Sequence, residues 1–532
     1  MRRKKVRIVY LIAVAVTLFV FFQLLLYKNI TTVKLKVSSS DLKELSSKEK
    51  LEDLDYLYNA IKNNYPYLEV SKRKTGYDWL KHKEDFDKMV LKSKNNIEFY
   101  NAVEEILCLL QNAHTNILEP SAYNYYKDAY KGLYNTAWRQ ILTNKNVEGK
   151  YSEWNKIIKN SKKVIPISFK YVEGKYIAYR NLGDEDSFKK HDIPKYSILN
   201  RVNDISVDDY ILSNMNRLYL TYDFKRKKLM VKDLVLYSKE DKPLKLELKT
   251  MDGKILTKEL YALDFNWDTR YSANLEKVYE TKIIEKDKLA YLKIWSFSYD
   301  YVDKDREGIY SFLKSIKDYP YLIIDIRGNG GGSEDYYRKN IVPPLIEKKI
   351  SAQFYALFRN GDEMKPFLKT RGIFTKPIEK LPKGLNYPEE TMRLFSGFID
   401  STTEIRPGKS VGFNGKIYLL VDDYVYSSAE AFAAFCKATG FATLVGTTTG
   451  GDGIGMDPGL LALPNSGLII RFPIEMGLNP DGTSNEEYHT QPDIYVEKTI
   501  EYFIKYDEYR QNNNEIINPY DELLNNVINM IS

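Results

Sequence analysis

Imidazole and thiol are scarce in this sequence: four histidines, His82, His114, His191 and His489, and two cysteines, Cys108 and Cys436, among 532 residues. Two cysteines build neither a disulfide framework nor a thiolate zinc site. Each sits in an apolar helical run, EEILCLL and AFAAFCKATG, where a lone Cys behaves as a small buried hydrophobe. Any reaction needing an imidazole must draw on one of four positions. No cluster of metal-ligating residues is visible, so a metallopeptidase is disfavoured and neither metal nor cofactor is expected. One-sided charge is lacking too. Lys and Arg exceed Asp and Glu by seven, scattered without a basic stripe, zinc finger or helix-turn-helix pattern, which argues against nucleic acid as a partner. No internal repeat is present, and an apolar content of 43% against 28% charged excludes wholesale disorder.

One long hydrophobic run is present. Arg2, Arg3, Lys4, Lys5 and Arg7 precede Ile8–Leu26, 19 residues in which Thr17 and Gln23 are the clear polar interruptions. That is close to the ~20 residues that span a bilayer as a helix. The flanking charge sets the N-terminus in the cytoplasm and the bulk outside. Ala13-Val14-Ala15 resembles a signal-peptide cleavage site but is followed by eleven mostly apolar residues, so an uncleaved anchor is the expectation.

The chain then divides as follows: 1–7 a cytoplasmic tip, 8–26 the anchor, 27–47 a polar linker, 48–160 a helical domain, 163–263 a small β domain, 264–500 an α/β core, and 501–532 a polar, Asn-rich tail read as peripheral. In the helical domain Leu51, Leu54, Leu57, Tyr58 and Ile61, then Phe99, Val103, Ile106, Leu109 and Leu110, follow three- and four-residue steps. This places His114 just past a helix end. In the β domain, VIPISFKYV, KYIAYRNL, LMVKDLVLY and LKLELKT alternate between turn signals. Tyr196–Asp204 resembles the strand and turn of PDZ domains, with Lys195 and Asp204 where that pattern has glycine. A peptide-binding module and a purely structural β domain both fit. In the core, strands are expected at Leu289–Ile294, Tyr321–Ile326, Lys416–Val421 and Ala442–Val445, with helices at Arg306–Ile316 and Ser428–Thr439.

Two motifs carry chemistry. In Ile323-Ile324-Asp325-Ile326-Arg327-Gly328-Asn329-Gly330-Gly331-Gly332 a buried strand runs into glycines whose bare amides can face a negative charge. The segment lacks the Lys-Ser/Thr of a phosphate loop and the spacing of a dinucleotide fingerprint. In Val421–Phe432 a strand ends, Ser427 and Ser428 follow, and an Ala-rich helix begins. A serine there can cap the helix. It can also project a hydroxyl beside amides that favour an oxyanion.

Together these elements resemble the family of C-terminal processing peptidases, tail-specific proteases, the tricorn protease core and their retinoid-binding relatives. That family pairs Asp-x-Arg-x-Asn-Gly-Gly-Gly with a Ser-Ala-x-Glu turn. Its later Gly-x-x-Thr-x-Gly and Pro-Asp-Ile motifs are matched by Gly446–Gly451 and Pro492-Asp493-Ile494. The resemblance implies an α/β (α+β) peptidase core of the ClpP/crotonase-like type and hydrolysis of a protein or peptide substrate. It makes Ser427 the nucleophile, ahead of Ser428, with Gly330, Gly331 and Ser428 supplying oxyanion amides. Many members use a lysine as base where this chain has Asp452, which cannot act as that amine, and Asp452 is expected to be dispensable. The tricorn-like branch carries an Asp-x-His-Thr motif, matched by Asn112-Ala113-His114-Thr115, so His114 is the expected base. The carboxylate expected to orient it is Glu486, with Glu487 and His489 as neighbouring alternatives. A catalytically inactive peptide- or ligand-binding relative on the same scaffold is the competing reading.

Overall fold

A computed structural model describes residues 32–37, 39–132, 135–158, 161–238, 242–266 and 275–532. The expected anchor at 8–26 lies outside them. Among the described residues no helix is long and apolar enough to cross a membrane.

The helical region is built by local signals. Helix Ser47–Asn64 opens on a capping box, in which Ser46 Oγ accepts from the Glu49 amide and the Glu49 carboxylate accepts from the Ser46 amide. Its Leu54, Leu57 and Ile61 are fully buried, and it packs on helix Lys83–Lys92, which in turn packs on helix Asn96–Cys108. Beyond Cys108 the chain reverses through Gln111, at φ 53°. Strand Asn116–Ile117 then pairs antiparallel with Ile469–Phe472, setting Ile117 opposite Ile470. The His114 segment is thereby tied to a helix on one side and to a core strand on the other. A single apolar cluster runs from Leu54 and Trp154 through Phe398 to Met476, so the helical region and this part of the core share one interior.

The central sheet has six strands in the order Tyr279–Glu285, Leu289–Ile294, Tyr321–Asp325, Lys416–Val421, Thr443–Gly446 and Ile494–Tyr495. The first pair is antiparallel and the rest are parallel. The parallel strands read as near-continuous apolar runs because both faces are covered. Helices Arg306–Ser315 and Ser428–Thr439 cover one face. Helix Glu522–Ile531 covers the other with Leu523, Leu524 and Val527. The tail expected to be peripheral is thus partly core. Its apolar positions follow a helical period that a high Asn content disguises.

A second, antiparallel sheet pairs Ile350–Phe358 with Gly397–Ile405 and Glu475–Leu478. The β domain is an antiparallel sheet in the order Ile255–Leu260, Leu244–Lys249, Ile198–Val202, Lys175–Asn181, Ile167–Val172 and Asp233–Leu234. Its two ends meet, since Leu263–Asn266 pairs with Ser161–Val164. This insertion bears on the core through Lys170 and Lys232, which lie over the Tyr424 ring at 4.2 and 5.0 Å.

Candidate active site

The glycine turn is held from below by charge. Asp325, at the end of its strand, accepts from the Tyr291 hydroxyl at 2.7 Å, Lys293 Nζ at 3.0 Å and the Arg327 guanidinium. Burial opposes ionisation here, but the charges of Arg327 and Lys293 hold the carboxyl well below the usual carboxylate range. Arg327 also makes a two-pronged contact with Asp521, both bonds 2.7 Å. The charged residues of the motif therefore fasten the turn to the C-terminal helix.

Above this lock Asn329 accepts from the Gly331 amide at 2.9 Å, and its own carbonyl accepts from the Tyr426 amide at 3.2 Å. Gly331 stands at φ 103°, where a Cβ would lie 2.8 Å from Ser427 Cβ and from the Tyr426 carbonyl oxygen. Only glycine fits that approach. The two motifs are thus in van der Waals contact.

Ser427 occupies a left-handed conformation, φ 57° and ψ −129°, and makes no capping bond to the helix Ser428–Thr439 that follows. Such strain in a non-glycine residue is kept where a side chain must project out of a tight turn. Ser428 is buried, and its hydroxyl has no hydrogen-bond partner among the described residues. The amides of Gly330 and Ser428 donate to nothing among the described residues, and Gly330 is exposed. Of the three amides expected to serve an oxyanion, those of Gly330 and Ser428 are thus unengaged among the described residues, whereas that of Gly331 is taken by Asn329.

His114 carries its Nδ1 2.7 Å from Asp452 Oδ2. A carboxylate at that distance accepts Nδ1–H, which leaves Nε2 with its lone pair free. The ring lies 4.8 Å from that of Tyr426, the residue before Ser427. Nε2 makes no other hydrogen bond among the described residues.

Asp452, expected to be dispensable at the family's lysine position, is the carboxylate that contacts the imidazole. It sits at φ 48° between Gly451 and Gly453. A Cβ on Gly451 would strike the His489 ring, and one on Gly453 would lie 2.5 Å from the Ala431 amide nitrogen and the Ser427 carbonyl oxygen. The loop is pressed onto the serine turn, with Gly451 accepting from the Ser427 amide at 3.4 Å. Besides His114, the Asp452 carboxylate accepts from Tyr67 at 2.8 Å, Asn112 at 2.9 Å and Tyr426 at 3.3 Å. Burial alone would raise its pKa, but the charge and hydrogen bond of His114, with Asn112 and Tyr67, hold it below the usual value.

Glu486, expected at the imidazole, makes no hydrogen bond to it among the described residues. It is 3% exposed, and its Oε2 has no partner among the described residues. Burial, and then the charge of Asp452, push its carboxyl up to about 8. A protonated acid cannot stabilise an imidazolium as a carboxylate does. Glu487 pairs instead with Arg73 at 2.6 Å. His489 lies between two carbonyls, Nδ1 2.7 Å from Thr449 and Nε2 3.1 Å from Glu486, and burial pushes it down to about 3. The carboxylate hydrogen-bonded to the imidazole is therefore that of Asp452, while Glu487 is turned to Arg73 and His489 to two carbonyls. The signal in the sequence was Gly451-Asp452-Gly453 at the family's lysine position. A carboxylate that cannot act as the base can still serve the base.

A separate cleft of about 750 Å³ opens between the β domain and the core, behind the glycine turn. It is lined by Tyr222, Trp295, Arg327, Gly328, Tyr424 and Lys498 among others, and neither Ser427 nor His114 borders it.

A family model described as "Peptidase family S41" matches residues 288–496. The solved structure of mature CPAF complexed with lactacystin is similar at 13% identity over 91% of this chain and 99% of that one, with a TM-score of 0.57. Mature CPAF alone gives 13% identity over 88% and 99%, TM-score 0.53. At this identity the likeness is one of fold. No curated protein matches the sequence.

Proposed function

Because this chain belongs to peptidase family S41 through residues 288–496 and is a serine-type peptidase, we propose that it cleaves peptide bonds with Ser427 as nucleophile, His114 as base and Asp452 as the carboxylate that orients the base. The observation that carries this reading is the 2.7 Å contact between His114 Nδ1 and Asp452, on a ring packed against the residue before Ser427.

The steps follow from these atoms. Ser427 Oγ bonds to the scissile carbonyl carbon as its proton passes to His114 Nε2. The resulting oxyanion accepts from the amides of Gly330 and Ser428, at the positive end of the Ser428–Thr439 helix. The C–N bond breaks, the leaving amine takes the proton from His114, and an ester to Ser427 remains. Water then attacks that ester as His114 removes its proton, and the ester oxygen recovers a proton when the carboxylic product leaves. Asp452 remains ionised throughout and favours the imidazolium.

A serine-directed phosphonate tests the assignment. The adduct is expected on Ser427 by peptide mass mapping and lost in Ser427→Ala and His114→Ala. An adduct on Ser428 moves the nucleophile by one residue, and no adduct in a folded protein leaves the inactive binding relative. We further assign Ile8–Leu26 as an uncleaved anchor with the peptidase outside the cytoplasm, on the strength of its five flanking basic residues and its length. N-terminal sequencing of membrane-extracted protein checks this, and a mature chain beginning near Thr17 or beyond overturns it.

A further inference from the structure

Asp452 collects more hydrogen bonds than a triad carboxylate needs to hold one imidazole. Tyr67 reaches it from the N-terminal helical region, 385 residues away in sequence, with its hydroxyl 2.8 Å from Oδ1. Asn112 reaches Oδ2 at 2.9 Å, its carboxamide orientation set because its own oxygen accepts from the His114 amide and the Thr115 hydroxyl, both at 3.0 Å. Oδ2 therefore serves His114, Asn112 and Tyr426, while Oδ1 is served by Tyr67. Tyr67 is 1% exposed. Burial, and then the charges of Asp452 and Glu486, push its phenol far above the usual range, so it is a pure donor at working pH.

We propose that Tyr67 is a positioning residue of the peptidase reaction, which holds Asp452 in the rotamer that faces His114 and draws charge away from the imidazole. The proposal rests on the Ser427–His114–Asp452 reading. Two consequences follow from one bond. With both oxygens anchored, the carboxylate cannot swing about its Cβ–Cγ bond, so Nδ1–H keeps its acceptor and Nε2 keeps its aim. With Oδ1 accepting the Tyr67 hydrogen bond, part of the carboxylate charge is engaged away from the imidazolium, and removing that bond strengthens the pull of Asp452 on the imidazole proton. The first consequence acts on kcat, the second on the pH profile. A hydroxyl that merely fills space would do neither. The helical region then contributes to chemistry twice, through His114 and through the anchor of its partner.

The test is the pH dependence of kcat/KM with an internally quenched peptide for the parent, Tyr67→Phe and Asp452→Asn. Other groups that feel Asp452 are Lys74, Glu475, Glu486, Tyr65, Tyr219 and Tyr426. All are present in parent and variants alike. Glu486, pushed up to about 8 by burial and then by the charge of Asp452, shifts down when that charge is removed in Asp452→Asn, so the Tyr67→Phe limb, measured with Asp452 in place, is the one that decides. Tyr67→Phe is expected to lower kcat about tenfold with KM little changed, and to move the acid limb to higher pH by roughly half a unit to one unit. Asp452→Asn moves that limb the other way and removes most activity. If the Tyr67→Phe limb superimposes on the parent while Asp452→Asn is nearly dead, the triad stands and the role of Tyr67 is refuted. If Asp452→Asn also keeps parental activity, the triad reading itself has failed. Should Tyr67→Phe not fold, as judged by its thermal melt, Tyr67→Leu carries the same expectation and the same refutation.

Discussion

Replacing Asp452 by asparagine changes one oxygen to an NH2 group without changing shape, and the surroundings make the consequence specific. Three donors and the imidazole Nδ1 already converge on the carboxylate: Tyr67 at 2.8 Å, Asn112 at 2.9 Å, Tyr426 at 3.3 Å and His114 at 2.7 Å. A carboxamide has a single acceptor atom to offer them. If its oxygen turns to Tyr67, its NH2 faces His114 and donates to Nδ1. The imidazole proton then sits on Nε2, the nitrogen that must take the proton of Ser427, and the base is in the wrong tautomer. If its oxygen turns to His114, the NH2 opposes the Tyr67 hydroxyl, and the imidazolium formed in the transition state still lacks its counter-charge. Either way the loss falls on the transition state. In serine triads this substitution lowers kcat about 10⁴-fold, which corresponds to about 5.5 kcal/mol of activation free energy. The assay is kcat and KM on a quenched peptide, with the rate of phosphonate labelling as an independent readout of nucleophile activation. KM should change little. Glu486→Gln is the matched control, the same chemical change in the neighbouring carboxyl, and it should keep activity within about tenfold of the parent, since a protonated acid and an amide are alike in charge. Loss of activity in Glu486→Gln with retention in Asp452→Asn would refute the reasoning and restore Glu486 as the orienting group.

Glu486→Gln also tests the buried acid through stability. A carboxyl held up to about 8 in the folded chain, against an unfolded value near 4.3, binds its proton more tightly when folded. Its contribution is complete below the unfolded value and is lost as pH rises through the folded one. The variant should therefore gain on the parent between pH 5 and 9, by about 1–3 kcal/mol in denaturant titrations, and equal pH dependence in the two would disprove it. Asp521→Asn removes half of the buried clamp on Arg327 and should cost about 2–4 kcal/mol, with a lower melting temperature, whereas an unchanged melt would show the C-terminal helix to be held by its apolar face alone. Gly331→Ala forces a side chain at φ 103° to within 2.8 Å of Ser427 Cβ. Phosphonate labelling should fall about 100-fold, and a parental rate would mean that the two turns tolerate separation.

The strands Leu289–Ile294 and Lys416–Val421 and the helix Ser428–Thr439 stand where apolar runs and turn signals place them. Each is decided by local pattern against a sheet covered on both faces. Ser427 and His114 stood out for a different reason: each lies in a short stretch that resembles a family motif, Ser427-Ser428-Ala429-Glu430 at a strand-to-helix turn for one and Asn112-Ala113-His114-Thr115 for the other. The rest depended on what approaches from elsewhere. That the Gly331 amide is engaged follows from where Asn329 Oδ1 turns. The packing of Glu522–Ile531 follows from a sheet face left uncovered by the other helices.

The choice between Asp452 and Glu486 shows the limit most clearly. Both carboxyls are buried, and the charge of Asp452 raises the pKa of Glu486. Two buried carboxylates so placed are not both ionised at neutral pH unless each is separately stabilised. The one that captures the donors becomes the anion, and the other keeps its proton. Asp452 captures Tyr67, Asn112 and Tyr426 as well as the imidazole, drawn from segments that meet only in the folded chain, while Glu486 Oε2 is left with no partner among the described residues. A motif can specify which positions surround the histidine. It takes the count of donors at each oxygen to say which carboxyl carries the charge, and that count is a property of the packing.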